Sequence, residues 1–195
     1  MRSIVFVALV ALTLSLPTIA QSNAWQLDPA HSSAQFAVRH LGISTVRGTF
    51  TKLSGSAHYD PADAKNNSVE VTIETASVDT RVEMRDNDLR SDHFFDVPKY
   101  PTMTFRSTKV ESAGADKLRI TGDLTIRGVT KPVSLDVEGP SKPINDGQGH
   151  LHMGVSATGT LDRTDFGMTG YQVAVGNEIK LTIDAELVQA TAAAK

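Results

Sequence analysis

The sequence predicts an all-β protein whose strands form an antiparallel sheet closed into a barrel. Apolar residues occupy every second position in one segment after another, and this period turns one face of a strand to the core and the other to water. Near the C-terminus Ile179, Leu181 and Ile183 share one face, whereas Lys180 and Thr182 share the other. Short connections favour antiparallel pairing, and closure removes exposed sheet edges. A β-sandwich remains the alternative, because it also buries one face of each strand.

The first twenty residues are typical of a cleaved export signal. Arg2 supplies a positive charge, residues 4–16 form an apolar run, and Ala20 ends a stretch of small residues. We therefore expect a mature periplasmic chain that begins at Gln21. The alternative is an uncleaved membrane anchor, but the apolar run is shorter than the roughly 20 residues that a spanning helix needs. Residues 21–195 are then expected to form one domain.

The composition argues against several classes of partner and chemistry. The chain has 195 residues, a formal net charge of −3 and no basic run, so we expect no nucleic-acid partner. It contains no cysteine, which excludes disulfides, thiol catalysis and thiolate metal sites. No phosphate-binding loop or zinc-protease helix motif is present, and we expect no cofactor.

The apolar alternation places the strands in chain order. Most of the segments are separated by Gly, Pro, Asn or Asp, residues that favour turns. The predicted strands cover residues 34–38, 46–50, 53–59, 69–73, 103–105, 118–120, 124–126, 133–137, 151–161 and 179–187.

One segment departs from the period of two. In residues 81–96, Met84, Leu89, Phe94 and Phe95 are spaced nearer to a helical repeat among many charged residues. This spacing predicts one or two short helices that end before Pro98, because the residue before a proline disfavours the helical conformation.

The histidines do not predict a metal site. On a strand, His150 and His152 would point to the face opposite Leu151 and Met153, which places them outside the barrel. A zinc site needs three or four ligands, and two neighbouring histidines on an outer face do not supply them. The sequence therefore predicts no metal.

Asp28, His31 and Ser32 have the residue types of a catalytic triad, which keeps a hydrolase as an alternative. Triad members converge from separated positions and are recognised by geometry, so three nearly adjacent residues are weak support for this chemistry.

Four segments together resemble the YceI-like family of exported bacterial polyisoprenoid-binding proteins. They are WQLDPAHSSAQFAVRHLGISTVRGTF at 25–50, RDNDLRSDHFFDVPKYPTMTF at 85–105, GDLTIRGVTKPVSLDV at 122–137 and RTDFGM at 163–168. Their order and spacing agree with the family pattern over nearly all of the mature chain. The helical segment is the most specific of the four.

The resemblance implies an extended, lipocalin-like antiparallel barrel of eight strands with a short helix near its mouth. It also implies a non-catalytic protein that carries or sequesters a long isoprenoid or fatty-acyl amphiphile, and it leaves a homodimer open. One alternative is an enzyme acting on an isoprenoid quinone or lipid, with His31, Asp86 or Arg163 as polar participants. Another is a stress-response interaction protein whose barrel is filled by its own side chains.

The strand phase combined with this resemblance predicts the residues that surround the ligand. Polar candidates for the mouth are His31, Arg85, Asp86 and Arg163. The predicted apolar cavity residues are Phe36, Val38, Phe50, Val71, Ile73, Met103, Phe105, Ile120, Ile126, Leu135, Met153, Val155, Phe166, Leu181 and Ile183.

Overall fold

A computed structural model describes residues 23–190, so the export signal predicted for residues 1–20 lies outside the described residues. One α-helix, α1, spans Glu83–Arg90 in this part of the chain. The strands are Ala24–Leu27 (β1), Ser33–His40 (β2), Ser44–Phe50 (β3), Leu53–His58 (β4), Ser68–Glu74 (β5), Val78–Asp79 (β6), Thr102–Gly114 (β7), Lys117–Ile126 (β8), Val129–Glu138 (β9), Ile144–Asn145 (β10), Leu151–Asp162 (β11) and Val175–Gln189 (β12).

These strands close into an antiparallel barrel of eight, which confirms the predicted fold class. The sheet runs β11-β9-β8-β7-β5-β4-β1-β12, and β11 pairs with β12 to complete the ring. β1 and β2 follow one another along the same edge of β12, so they act as one long barrel strand. In the same way, β3 and β4 act as a second long barrel strand with a break between them, and β5 and β6 act as a third. Closure leaves the long strands without a free edge.

The pairing of β11 with β12 shows how the alternating sequence becomes a barrel wall. The register is regular from His152 opposite Val188 to Asp162 opposite Glu178. Met153, Val155 and Ala157 in β11, and their partners in β12, turn toward the barrel interior. Directly opposite apolar residues therefore meet on the inner face, and the polar residues between them face outward.

Two glycines allow aromatic rings to lie flat against the inner wall. An added Cβ at Gly48 would lie 2.4 Å from the Phe36 ring, and one at Gly122 would lie 2.5 Å from the Phe105 ring. Neither distance is possible for a real carbon contact, so any side chain at these positions would displace the ring. These glycines are thus required by close packing within the strands.

Helix α1 crosses one end of the barrel, which we call the helix end. Glu83 and Asp86 lie in its first turn and Arg90 in its last, an order that suits the helix dipole. Arg90 also donates hydrogen bonds to the carbonyl oxygens of Ala76 at 2.9 Å and Val78 at 2.8 Å. These bonds fix the C-terminal turn of the helix to the segment at the start of β6. The predicted helix within 81–96 is confirmed.

The opposite end, which we call the loop end, contains the β4–β5 connection, the β9–β11 connection and both termini of the described chain. A small apolar cluster of Trp25, Met153 and Leu187 packs there. The larger core cluster lies at and near the helix end. Among residues 23–190, no helix is long and apolar enough to cross a membrane.

Candidate functional site

A cavity of about 280 Å³ runs inside the barrel between the two ends. Its wall contains residues from the helix end, such as Phe94 and Met168, and from the loop end, such as Tyr59 and Pro140. A twelve-residue strand such as β11 extends over roughly 40 Å at about 3.3 Å per residue, or about 30 Å along the axis after tilting. A volume this small over such a length is narrow, and it suits a chain rather than a compact ring system.

The exposure of the inward side chains shows that the middle of the barrel is hollow. Phe105, Ile120 and Leu181 point inward and yet are only half-buried, although both neighbouring strands cover their flanks. A filled core would bury such residues completely. By contrast, Met103 at the helix end and Met153 at the loop end are 6% and 2% exposed. The free space therefore lies between two better-packed ends.

Fourteen of the fifteen apolar residues predicted for the cavity do line it in the described chain. The strand period located them because the period alone decides which face of a strand each side chain occupies. They are Phe36, Val38, Phe50, Val71, Ile73, Met103, Phe105, Ile120, Ile126, Leu135, Met153, Val155, Leu181 and Ile183.

Phe166 is the exception, and its prediction as a cavity residue is corrected by the structure. It ends the 3₁₀ turn Arg163–Phe166 that follows β11, so the period of two no longer applies to it. Its side chain is 1% exposed and packs in the core, and it does not line the cavity. Phe166 thus helps to hold the helix end together.

Several cavity residues were missed by the sequence reasoning. Leu118, Leu124 and Val137 lie on predicted apolar strand faces, and the same period could have identified them. Phe94 and Phe95 follow α1 and have no strand period to mark them. Phe95 packs edge-on against Phe50 at 5.6 Å between ring centroids, which places it across the helix end of the cavity.

Arg163 is the one polar mouth candidate that the structure places beside the cavity. It is 2% exposed and donates hydrogen bonds to the carbonyl oxygens of Gly176, Met168 and Val175 at 2.9, 2.5 and 2.8 Å. Its guanidinium carbon lies 5.8 Å from the centre of the Phe94 ring. Burial lowers the pKa of Arg163 from its ordinary value. These contacts show that Arg163 stabilises the loop before β12.

The cavity wall acquires polar residues at the loop end. Tyr59, Asn67 and Ser68 flank the β4–β5 connection, line the cavity and are half-buried or exposed. Elsewhere the wall is almost entirely aliphatic and aromatic. Such a gradient suits a ligand with a long apolar chain and a polar group at this end.

Arg85 and Asp86, which the sequence predicts for the mouth, lie in α1 at the helix end and do not line the cavity. Asp86 is 7% exposed, and its Oδ1 accepts hydrogen bonds from the Thr80 backbone N–H at 2.8 Å and from the Thr80 hydroxyl at 2.5 Å. Arg85 donates to the Thr80 hydroxyl and carbonyl oxygens at 2.7 and 2.9 Å. Both side chains are therefore used to hold the chain where it enters α1, and Arg81 there has a φ of 64°.

His31 also lies away from the cavity, on the outer face of the barrel, where its side chain is 65% exposed. The sequence predicts it as a polar residue of the mouth. Its Nδ1 lies 2.7 Å from Asp28 Oδ2, and this hydrogen bond raises the pKa of His31 and lowers that of Asp28. Ser32 does not complete a triad, because its hydroxyl is bonded to the backbone of Glu186 instead. The described geometry gives the hydrolase alternative no support.

His150 and His152 lie outside the barrel, as their strand phase indicates. His150 Nδ1 is 3.0 Å from Asp146 Oδ2, and His152 Nδ1 is 2.7 Å from Glu186 Oε1. The bond to Glu186 is the largest of the effects that raise the pKa of His152.

Comparison with known proteins shows the family to which the chain belongs. The model of the YceI-like domain family matches residues 25–187. The chain is 38% identical to a UPF0312 protein of Vibrio parahaemolyticus, with 85% of this chain and 88% of that protein covered.

Two solved structures show the same architecture. The crystal structure of Burkholderia cenocepacia BcnA is 27% identical with a TM-score of 0.73, and the match covers 85% of this chain and 99% of that one. A polyisoprenoid binding domain from Saccharophagus degradans is 15% identical with a TM-score of 0.64, covering 87% and 99% of the two chains. At this identity the second likeness concerns the fold alone.

Proposed function

Because this chain belongs to the YceI-like family, we propose that it binds a long isoprenoid or fatty-acyl amphiphile inside the barrel and carries or sequesters it without chemical conversion. The observation that carries the proposal is the narrow apolar cavity with half-buried residues along its middle. A polyisoprenoid binding domain shares this fold, so the architecture is one that can hold such a ligand.

The energetics of an apolar wall suit such a ligand. Each buried methylene-sized group contributes about 0.8 kcal/mol, so a chain of several isoprene units gains enough to offset the loss of its own freedom. This attraction is not directional and needs no specific polar contacts. The polar group of the amphiphile would then lie at the loop end, beside Tyr59, Asn67 and Ser68.

The side chains along the cavity also favour binding over catalysis. Arg163, a charged residue in its wall, donates to three backbone carbonyl oxygens, and the other acid–base side chains there, His58 and Tyr59, lie at the loop end. Cleavage or transfer of a lipid group would require an activated nucleophile or a positioned acid and base. A protein that only holds and releases its ligand has no such requirement.

Analysis of the lipid that accompanies the purified protein tests the proposal. Freshly purified protein is extracted with organic solvent, and the extract is examined by mass spectrometry. We expect a polyprenyl or fatty-acyl compound in an amount approaching one per chain. Protein that carries no lipid, and takes up none from vesicles containing polyprenyl lipid, would contradict the proposal.

We further propose that this binding occurs in the periplasm. The order of charge, apolar run and small residues in positions 1–20 supports export, with cleavage before Gln21. Mass measurement of protein from a periplasmic fraction should give the chain from Gln21 onward. Full-length chain in the membrane fraction would contradict this expectation.

A further inference from the structure

We propose that the outer face of the barrel holds a divalent transition-metal ion of the zinc class, with Asp28, His31 and Glu186 as ligands. Each residue offers one ligand atom, and the imidazole nitrogen and the two carboxylate oxygens all lie within 4.8 Å of one another. Ligands at about 2.1 Å from a tetrahedral zinc ion stand roughly 3.4 Å apart. Small side-chain rotations would therefore bring these three atoms to bonding distance.

The backbone around the three ligands is already fixed. Asp28 and His31 belong to the turn between β1 and β2, and Glu186 lies on β12 beside it. The Asp28 N–H donates to the Glu186 carbonyl oxygen at 2.9 Å, and the Glu186 N–H donates to the Ser32 hydroxyl at 3.0 Å. Asp28 Oδ1 also accepts the Ala30 N–H at 2.8 Å. The main chain of all three ligand residues is therefore already held in place before a metal ion binds.

A second layer of side chains supports the cluster. Glu186 Oε1 lies 2.7 Å from His152 Nδ1, and His152 Nε2 faces Asp146 Oδ2 at 3.4 Å. Metal ligands are commonly oriented by such outer hydrogen bonds, and His152 occupies that position toward Glu186.

The donor set indicates the class of ion. An imidazole with two carboxylates suits zinc and similar transition metals, whereas calcium and magnesium prefer ligands that are all oxygen. His31 is 65% exposed, so one side of the site is open to water or to an added ligand. Three protein ligands with an open fourth position are the usual arrangement of an accessible zinc site.

This site is independent of the apolar cavity and therefore of the proposed lipid binding. Glu186 points outward, whereas its chain neighbours Ala185 and Leu187 line the cavity on the inner face of β12. A bound ion would tie the β1–β2 turn to β12 at the loop end. The two proposals can fail separately.

Titration of the tag-free mature protein with Zn²⁺ in a calorimeter tests the proposal. We expect one equivalent to bind, and His31→Ala and Glu186→Gln each to weaken binding by about tenfold or more. His93→Ala is the matched control. His93 Nδ1 lies 2.8 Å from Asp88 Oδ1, much like the pair of His31 and Asp28, but among the described residues this pair does not form a group of three ligand atoms within 4.8 Å of one another.

The outcomes separate the proposed ligands from their neighbours. Unchanged binding in His93→Ala, with losses in both ligand variants, supports the site. If Glu186→Gln proves misfolded by circular dichroism, the exposed His31→Ala decides alone. Absence of Zn²⁺ binding in the wild type overturns the proposal. So does wild-type affinity in His31→Ala, or loss of binding confined to His150→Ala, which would assign the ion to His150 and Asp146.

Discussion

Placing a charge on the cavity wall should release the lipid while leaving a folded barrel. Leu181 lines the cavity from β12 and is half-buried, so Leu181→Asp introduces a carboxyl group into apolar space. Truncating a core leucine costs about 2–5 kcal/mol of unfolding free energy, and we expect the lower part of that range at this hollow position. Displacing one isoprene unit removes about five buried carbon groups, about 4 kcal/mol, or roughly a thousandfold in affinity.

The assay compares lipid per chain in variants that are shown to be folded. Wild type, Leu181→Asp and Thr182→Asp are purified identically, checked by circular dichroism and gel filtration, extracted and quantified by mass spectrometry. Thr182 lies on the same strand but faces solvent, and surface changes usually cost within about 0.5 kcal/mol. Equal lipid in both folded variants would refute the assignment of the ligand to this cavity.

Three further results are expected. Arg163→Met should lower the unfolding free energy by about 3–5 kcal/mol in denaturant titrations, because it removes three hydrogen bonds from a buried guanidinium to backbone carbonyl oxygens; a loss under 1 kcal/mol would contradict that role. Gly122→Ala should lower the melting temperature, because the added Cβ would lie 2.5 Å from the Phe105 ring; an unchanged melting temperature would count against tight packing between Gly122 and this ring. The hydrogen bond to Asp88 raises the pKa of His93 above 6.5, so stability from this pair is complete below pH 6.5 and is lost as pH rises through the raised pKa. NMR titration should show that His93 titrates above 6.5 in the wild type and lower in Asp88→Asn; equal values in both would exclude the carboxylate as the cause.

The strand faces were predictable because they depend on local geometry. A β-strand turns successive side chains to opposite sides, so alternation in residues 179–187 already indicates which of them face inward. The resulting assignment holds for Leu181 and Ile183 and for cavity residues on the other strands. The helix within 81–96 was predictable for the same reason, because its spacing differs from a period of two.

Residues outside the regular strands could not be placed in this way. Phe94 and Phe95 reach the cavity because the chain after α1 folds back over the helix end, where Arg127 donates hydrogen bonds to the carbonyl oxygens of Asp92 and Phe94. Phe166 leaves the cavity because a 3₁₀ turn rotates it away. These positions depend on contacts between segments, and no local period encodes them.

The sequence by itself determined the β architecture, the apolar inner faces and the family, because alternation and motif spacing are properties of neighbouring residues. The tertiary structure alone decided that the barrel centre is open, since packing density depends on how eight strands meet around one axis. It also decided that His31 and Asp28 lie beside Glu186 from the far end of the chain. Strand register across β12 creates that proximity, and register is a long-range property of the closed sheet.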